Sequence, residues 1–237
     1  AKLPLHRLFG AFHSKIKTYA SGGLWLSQSI DSLLLQASEF IDQGFRSMKV
    51  RVGSEDYLND VERVKELRKA IGPDIELMAD LNQGLSPKEA IRLGGKLEEY
   101  DLLWLEEPVA SSDRKGHAEV KENLNIPIAS GENEYTRFGI REMIEANACD
   151  VLMPDLQRIG GISEMRKVAH LAETYNLPIS THIFTEQSIS VAASLKNCIS
   201  VEHMPWFSGL FNEKIDIVNG YIEVPERHGI GFTFDDA

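Results

Sequence analysis

Cysteine is almost absent: Cys149 and Cys198 are the only two in 237 residues, and they form no C-x-x-C pair. Both sit in apolar surroundings, which reads as buried, reduced thiols rather than a disulfide framework or a thiolate metal site. No run of about 18 apolar residues occurs, so no membrane-spanning helix is expected. The start, Ala1-Lys2-Leu3-Pro4-Leu5-His6-Arg7, lacks the form of a secretory signal, and a cytoplasmic protein is the default. A basic excess is missing too. Lys and Arg total 25 against 36 acids, a net charge of −11, which argues against nucleic acid or an anionic membrane as partner. No G-x-G-x-x-G turn follows an early strand, which weighs against a doubly wound nucleotide-binding sheet.

What is present is an ordinary globular balance, 43% hydrophobic and 26% charged. The length fits one large α/β barrel or two modest domains. Short apolar runs at Lys15–Tyr19, Ser47–Val52, Glu76–Asp80, Leu102–Glu106, Ile126–Ser130, Val151–Met153, Ile179–Thr181 and Ser200–Glu202 read as strands. Helical patterns fall between them at Ser29–Gln43, Asp56–Ile71, Pro87–Glu99, Phe138–Ala146, Ser163–Tyr175 and Glu186–Lys196. Eight strands with helices in most gaps give the rhythm of a parallel barrel. Asn219–Phe234, carrying Gly220, Pro225, Gly229 and Gly231, reads as a closing meander.

Chemistry in such a barrel gathers where the strands end. Lys49 and Arg51 stand two apart and so share one strand face, as barrel-lining cations or on an exposed edge. The next three strands end in Asp80 (with Asn82 two further on), Glu106 and Glu132, spaced 26 and 26 residues apart. Any one of these acids alone reads as a helix N-cap or a solvated loop acid. Repeated around one rim, they repel unless a cation lies among them, and an all-oxygen set suits Mg²⁺. The sixth strand leads to Asp155 and the seventh to His182, an acid placed to orient a histidine base. Of seven histidines only His182 is expected at a strand terminus; His6, His13, His117, His170, His203 and His228 are expected on helices, loops or the surface. The eighth strand supplies Glu202. Gly160-Gly161 reads as a tight turn, and Trp25, Trp104 and Trp206 as core or pocket walls.

Taken together, Lys49-Val50-Arg51, Asp80-Leu81-Asn82, Glu106-Glu107-Pro108, Gly131-Glu132-Asn133, Asp155 with His182, and Glu202 resemble the enolase superfamily. Within it, the Asp155/His182 dyad resembles the mandelate racemase subgroup, since muconate-lactonizing relatives carry lysine where Asp155 stands. The resemblance runs from about Leu3 to Phe234. It implies an α/β fold, a modified TIM barrel of (β/α)₇β form, with one Mg²⁺ on Asp80, Glu106 and Glu132. It further implies a small carboxylate substrate whose α-proton is removed to give an enediolate, with His182 and Asp155 as base and orienter. Lys49 and Arg51 would be catalytic cations, Asn82 a substrate contact, and Glu202, if protonated, a hydrogen-bond donor.

Two departures shape the expectation. Many members carry Lys-x-Lys on the second strand, and Arg51 is a poor base at neutral pH. With one conventional base, β-elimination of water from an aldonate or aldarate is preferred to racemisation or epimerisation by 1,1-proton transfer. The family's N-terminal α+β capping domain does not precede Ala1. Residues 1–13 resemble the joint to that domain, and 14–237 the barrel with its meander. A catalytically incomplete barrel fragment is therefore the alternative from outside enzymology, and a homo-oligomer is expected of the cap-containing form. A phosphosugar barrel is disfavoured, because neither His182-Ile183-Phe184 nor Glu202-His203-Met204-Pro205 forms a glycine-rich cup.

Overall fold

The computed structural model describes residues 1–235. Along the chain come α1 (Leu5–Leu8), β1 (Lys15–Ala20), α2 (Ile30–Asp42), β2 (Ser47–Arg51), α3 (Tyr57–Ile71), β3 (Glu76–Asp80), α4 (Pro87–Leu97), β4 (Leu102–Glu106) and α5 (Arg114–Asn123). There follow β5 (Ile128–Ser130), α6 (Thr136–Glu145), β6 (Val151–Leu152), α7 (Ile162–Thr174), β7 (Ile179–Thr181), α8 (Thr185–Ala192), β8 (Cys198–His203) and β9 (Tyr221–Glu223). Several helix starts are written locally. Ser29, Asp56 and Asp113 accept backbone N–H groups at the heads of α2, α3 and α5, and Ser86 forms a capping box with Glu89 ahead of Pro87.

β1 to β8 pair in parallel, and β1 also pairs with β8 and β2, which closes the barrel. Helices α2 to α8 each follow one of the first seven strands, and among the described residues no α-helix follows β8. The fold is therefore the expected (β/α)₇β barrel. β9 runs antiparallel to β1, Lys15 opposite Glu223, so the closing meander adds one strand outside the parallel set. Residues 1–13 lie against the barrel: Leu5 N–H donates to Gly229 O and His13 N–H to Ala193 O. The expected end of the barrel unit at residue 237 lies outside the described residues.

Strand alternation divides the side chains between two destinations. Val50, Leu77, Ala79, Leu105 and Ile128 point outward and pack under Leu33, Val64, Leu67, Leu93 and Val120 of the helices. Leu152, Ile179 and Val201 do the same under Ile140, Met165, Val168 and Ile189. The bore is filled by Tyr19, Met78, Trp104, Ala129, Val151 and Met153. Register sets what lies above this plug. Arg51 pairs with Asp80, Asp80 with Glu106, and Tyr19 with Glu202, so these groups share the inner face near the C-terminal rim.

The sequence pattern missed α5. Only Gly116, His117 and Val120 of that helix are buried, too few apolar positions to declare a period. His203 needs a correction: it is the last residue of β8, so His182 does not have strand ends to itself. Its parity is opposite to that of Glu202, and its ring lies 5.8 Å from Phe45 in the helix-side layer. No helix among the described residues is long and apolar enough to cross a membrane.

Cys149 and Cys198 are free thiols, 2% and 3% exposed, and burial pushes both up to about 12. At pH 8 the native protein should leave both unreacted toward an aromatic disulfide reagent, whereas the unfolded chain should titrate two thiols. Rapid labelling of either cysteine in the native protein would contradict their placement.

Candidate active site

Every polar residue singled out from the strand ends lies at one rim of the barrel. Lys49 and Arg51 line the bore, 1% and 7% exposed, which removes the exposed-edge alternative for β2. Lys49 Nζ is the hub. It donates to Glu106 Oε1 and lies 3.1 Å from Asp80 Oδ2 and 2.9 Å from Glu202 Oε1. Arg51 pairs with Asp80, donates to Ser21 Oγ at 3.3 Å and stacks 5.0 Å from the Trp25 ring. Glu106, fully buried, also accepts from Trp104 Nε1 at 3.0 Å.

Asn82 is held in the left-handed region, φ 44°, where asparagine is tolerated better than most residues. Its backbone N–H and its side-chain amide both donate to Asp80 Oδ1, at 2.8 and 2.5 Å. The residue expected to touch substrate thus spends its amide on orienting Asp80, although it also lines the mouth cavity.

Asp155 and His182 are joined by a parallel bridge that extends the β6–β7 pairing, and this places their side chains side by side. His182 Nδ1–H donates to Asp155 Oδ2 at 2.8 Å, which turns Nε2 toward Glu132 Oε2 at 3.3 Å and Glu202 Oε2 at 3.9 Å. The other Asp155 oxygen accepts the N–H groups of Gln157 and Arg158, both at 2.8 Å. Burial alone would lower the imidazole pKa, but the Asp155 hydrogen bond and the charges of Glu202 and Glu132 raise it above its ordinary value. Burial likewise works to raise Asp155, yet its bonds from His182 and the two backbone N–H groups bring it below the usual range. The two shifts agree: the pair favours imidazolium beside carboxylate.

Glu132 is raised, first by burial and then by Glu106 and Glu107, with His182 opposing. Glu202 shows the opposite balance. Burial pushes it up, but Lys49 and His182 pull it well below the usual carboxylate range, and its Oε2 accepts Ile183 N–H at 2.9 Å. In this arrangement Lys49 and His182 favour the ionised form of Glu202, which accepts rather than donates toward Ile183.

Sequence reading passed over Arg158. Its Nη1 donates to Glu132 O at 3.0 Å and lies 3.5 Å from Glu132 Oε1. Glu132, His182, Asp155 and Arg158 therefore close into a ring of contacts. The available signal was position: Arg158 stands three residues beyond Asp155 in a strand-to-helix loop, where barrel chemistry concentrates. Above the ring opens a cavity of about 360 Å³, bordered by Arg51, Glu132, Arg158 and His182 and walled by Trp25 and Trp206. The two indoles stack 6.4 Å apart with planes 9° from parallel. A larger groove, about 720 Å³, runs along residues 212–232. It lies away from the strand ends, and its charges form surface pairs such as Arg227–Glu213 rather than a convergent set.

Among the described residues no three His, Cys, Asp or Glu side chains surround a common point closely enough to share an ion. Asp80 and Glu106 close on the Lys49 ammonium, and Glu132 turns to His182 and Arg158. The chemistry of the donor set nevertheless fits a hard dication. Five carboxylates (Asp80, Glu106, Glu132, Asp155 and Glu202) meet the three permanent cations Lys49, Arg51 and Arg158 in a low-dielectric rim, and the nearest acids offer only oxygen.

Comparison with known proteins agrees with this barrel. A family model described as "Enolase C-terminal domain-like" matches residues 32–237. The chain belongs to this family. Over 236 residues this enolase-like chain is 33% identical to L-talarate/galactarate dehydratase of Salmonella typhimurium, covering 100% of this chain and 59% of that protein. It is 30% identical to arabinonate dehydratase of Saccharolobus solfataricus, covering 100% of this chain and 66% of the relative. The structure of L-talarate dehydratase from Polaromonas sp. JS666, complexed with Mg and L-glucarate, superposes with a TM-score of 0.96 at 36% identity, over 99% of this chain and 66% of that one. The chain thus spans about three fifths to two thirds of the length of these relatives. Curated relatives include epimerases as well as sugar-acid dehydratases.

Proposed function

We propose that this chain is the catalytic barrel of a Mg²⁺-dependent acid-sugar dehydratase, which converts an aldonate or aldarate to a 2-keto-3-deoxy acid. The observation that carries the reading is the asymmetry of bases around the cavity. His182, oriented by Asp155, is the one conventional base at the mouth, while Lys49 and Arg51 on β2 are engaged by buried carboxylates. Proton exchange at a carbon by 1,1-transfer wants a base on each face; elimination needs only one, used twice.

Asp80, Glu106 and Glu132 would hold the Mg²⁺. When bound, the ion supplies Lewis-acid polarisation of the substrate carboxylate and positive charge for the enediolate. The chain's own groups do the rest. Lys49 would place its ammonium beside the charge that develops on the carboxylate oxygens. His182 Nε2, once neutral, would accept the α-proton, and the C–H pair would become the enediolate π bond. The enediolate would then expel the β-hydroxyl, which takes the proton from His182 Nε2 and leaves as water, and the resulting enol tautomerises to the keto acid. Asp155 keeps the Nδ1–H tautomer throughout, so the same nitrogen serves as base and then as acid. Trp25 and Trp206 would shield one flank from water.

The purified protein incubated in D₂O with Mg²⁺ and a panel of aldonates and aldarates tests this. A 2-keto-3-deoxy product from at least one acid is expected. Deuterium at C2 of recovered acid, with no keto acid formed, would establish the epimerase reading in its place.

A further inference from the structure

Glu107 follows Glu106 but faces the opposite way, as strand alternation requires. Glu106 enters the bore; Glu107 lies beneath the helix layer, 1% exposed. Its Oε1 accepts from Ser130 Oγ–H at 2.5 Å and from Gly131 N–H at 3.0 Å. Ser130 Oγ also meets His117 Nε2 at 3.1 Å, and the far side of that ring, Nδ1–H, donates to Asp113 O at 3.1 Å. Ser130 is 1% exposed and His117 0%. The network therefore ties the end of β4, the end of β5 and the first turn of α5 together in a dry layer.

Holding it has a cost. Glu107 adopts φ 41° just before a proline, a backbone region that L side chains and pre-proline residues both avoid. Its second oxygen, Oε2, makes no hydrogen bond of normal geometry. A buried apolar side chain would avoid that desolvation. What the carboxyl secures is the turn. Gly131 stands at φ 126°, a conformation open essentially to glycine, and a Cβ there would sit 3.4 Å from Met153 N. That glycine is gripped at its N–H by Glu107, and the next residue along is Glu132.

We propose that Glu107 is a positioning residue: through Ser130 and Gly131 it fixes the turn after β5 so that Glu132 is presented correctly to a divalent ion. The inference rests on the reading of Glu132 as a metal ligand. Groups that orient ligands commonly change metal affinity by about 10–100-fold when removed.

Glu107→Leu deletes both acceptors in an apolar shape, and Glu107→Gln keeps an Oε1 acceptor. Mn²⁺ titrated into the full chain and followed by electron paramagnetic resonance should bind about 10–100-fold more weakly to Glu107→Leu. Gln should restore most of the affinity. Hydrogen exchange at the Gly131 amide should accelerate at least tenfold in Glu107→Leu, with the α2 and α7 helix amides unchanged. Wild-type Mn²⁺ affinity in Glu107→Leu, or an unaltered Gly131 exchange rate, would overturn the proposal. Should the wild-type chain bind no divalent ion, the metal reading fails by itself, and Gly131 exchange still decides whether Glu107 holds the turn. If Glu107→Leu does not fold, Ser130→Ala replaces it; loss of that one bond should weaken Mn²⁺ binding about fivefold, and no change would count against the network.

Discussion

Lys49→Met should cost the divalent-free barrel about 3–5 kcal/mol of stability, the scale of breaking a buried ion cluster from one side. Methionine fills the same length of bore, so little packing is lost. What remains is Asp80, Glu106 and Glu202 facing one another with the ammonium gone, each 0–1% exposed. Arg51 still reaches Asp80 but has no contact with the other two. Mg²⁺ should narrow the difference. An ion that binds only the folded state adds about 2.7 kcal/mol at a hundredfold excess over its dissociation constant. In the variant it no longer competes with a lysine already seated among the acids, so the added stability should exceed that of wild type. Urea unfolding of both proteins, with and without Mg²⁺, separates the terms. A Lys49→Met protein as stable as wild type without metal would show that the cluster is not the repulsive set described above.

The same cluster shows how far the sequence could be read. The 26-residue spacing of Asp80, Glu106 and Glu132 survives translation into structure because it is topological: each β/α repeat returns the chain to the same rim. The bridge between Asp155 and His182 follows from the same logic. Groups that act across the barrel do not announce themselves that way. Lys49 on β2 meets Glu106 on β4, and His182 beyond β7 meets Glu132 beyond β5, through side-chain reach and loop shape that no periodicity encodes. Glu202 shows a second limit. Its position was legible, but its charge state depends on the distance to Lys49 Nζ, and that distance exists only in three dimensions. Glu107 shows a third. It sits in the motif beside Glu106, yet strand parity sends it into the helix layer, where its partners are Ser130 and His117. The polar helix α5 that carries His117 was the one element between barrel strands with too weak an apolar stripe to be seen.

His182→Ala should lower turnover of the dehydration by about 10²–10⁴-fold, the usual contribution of a positioned acid–base group. The loss should fall on kcat with KM little changed, because His182 meets the substrate at the proton in flight while the carboxylate is held elsewhere. If His182 handles both the α-proton and the departing hydroxyl, α-proton exchange into solvent should fall by a similar factor as product formation. A variant that still exchanges the α-proton at the wild-type rate but forms no keto acid would assign His182 to the leaving group alone, and the base would have to be sought on β2. Asp155→Asn tests the orienter separately. Asparagine keeps the shape, but its amide can turn an N–H toward Nδ1 and stabilise the tautomer with hydrogen on Nε2, where a base must be bare. It should therefore lower kcat without disturbing Mn²⁺ affinity, since Asp155 touches His182 and the Gln157–Arg158 turn but none of Asp80, Glu106 and Glu132. Equal loss of metal affinity in Asp155→Asn would mean that the ring through Arg158 transmits the change to Glu132, and that dyad and ion site operate as one unit.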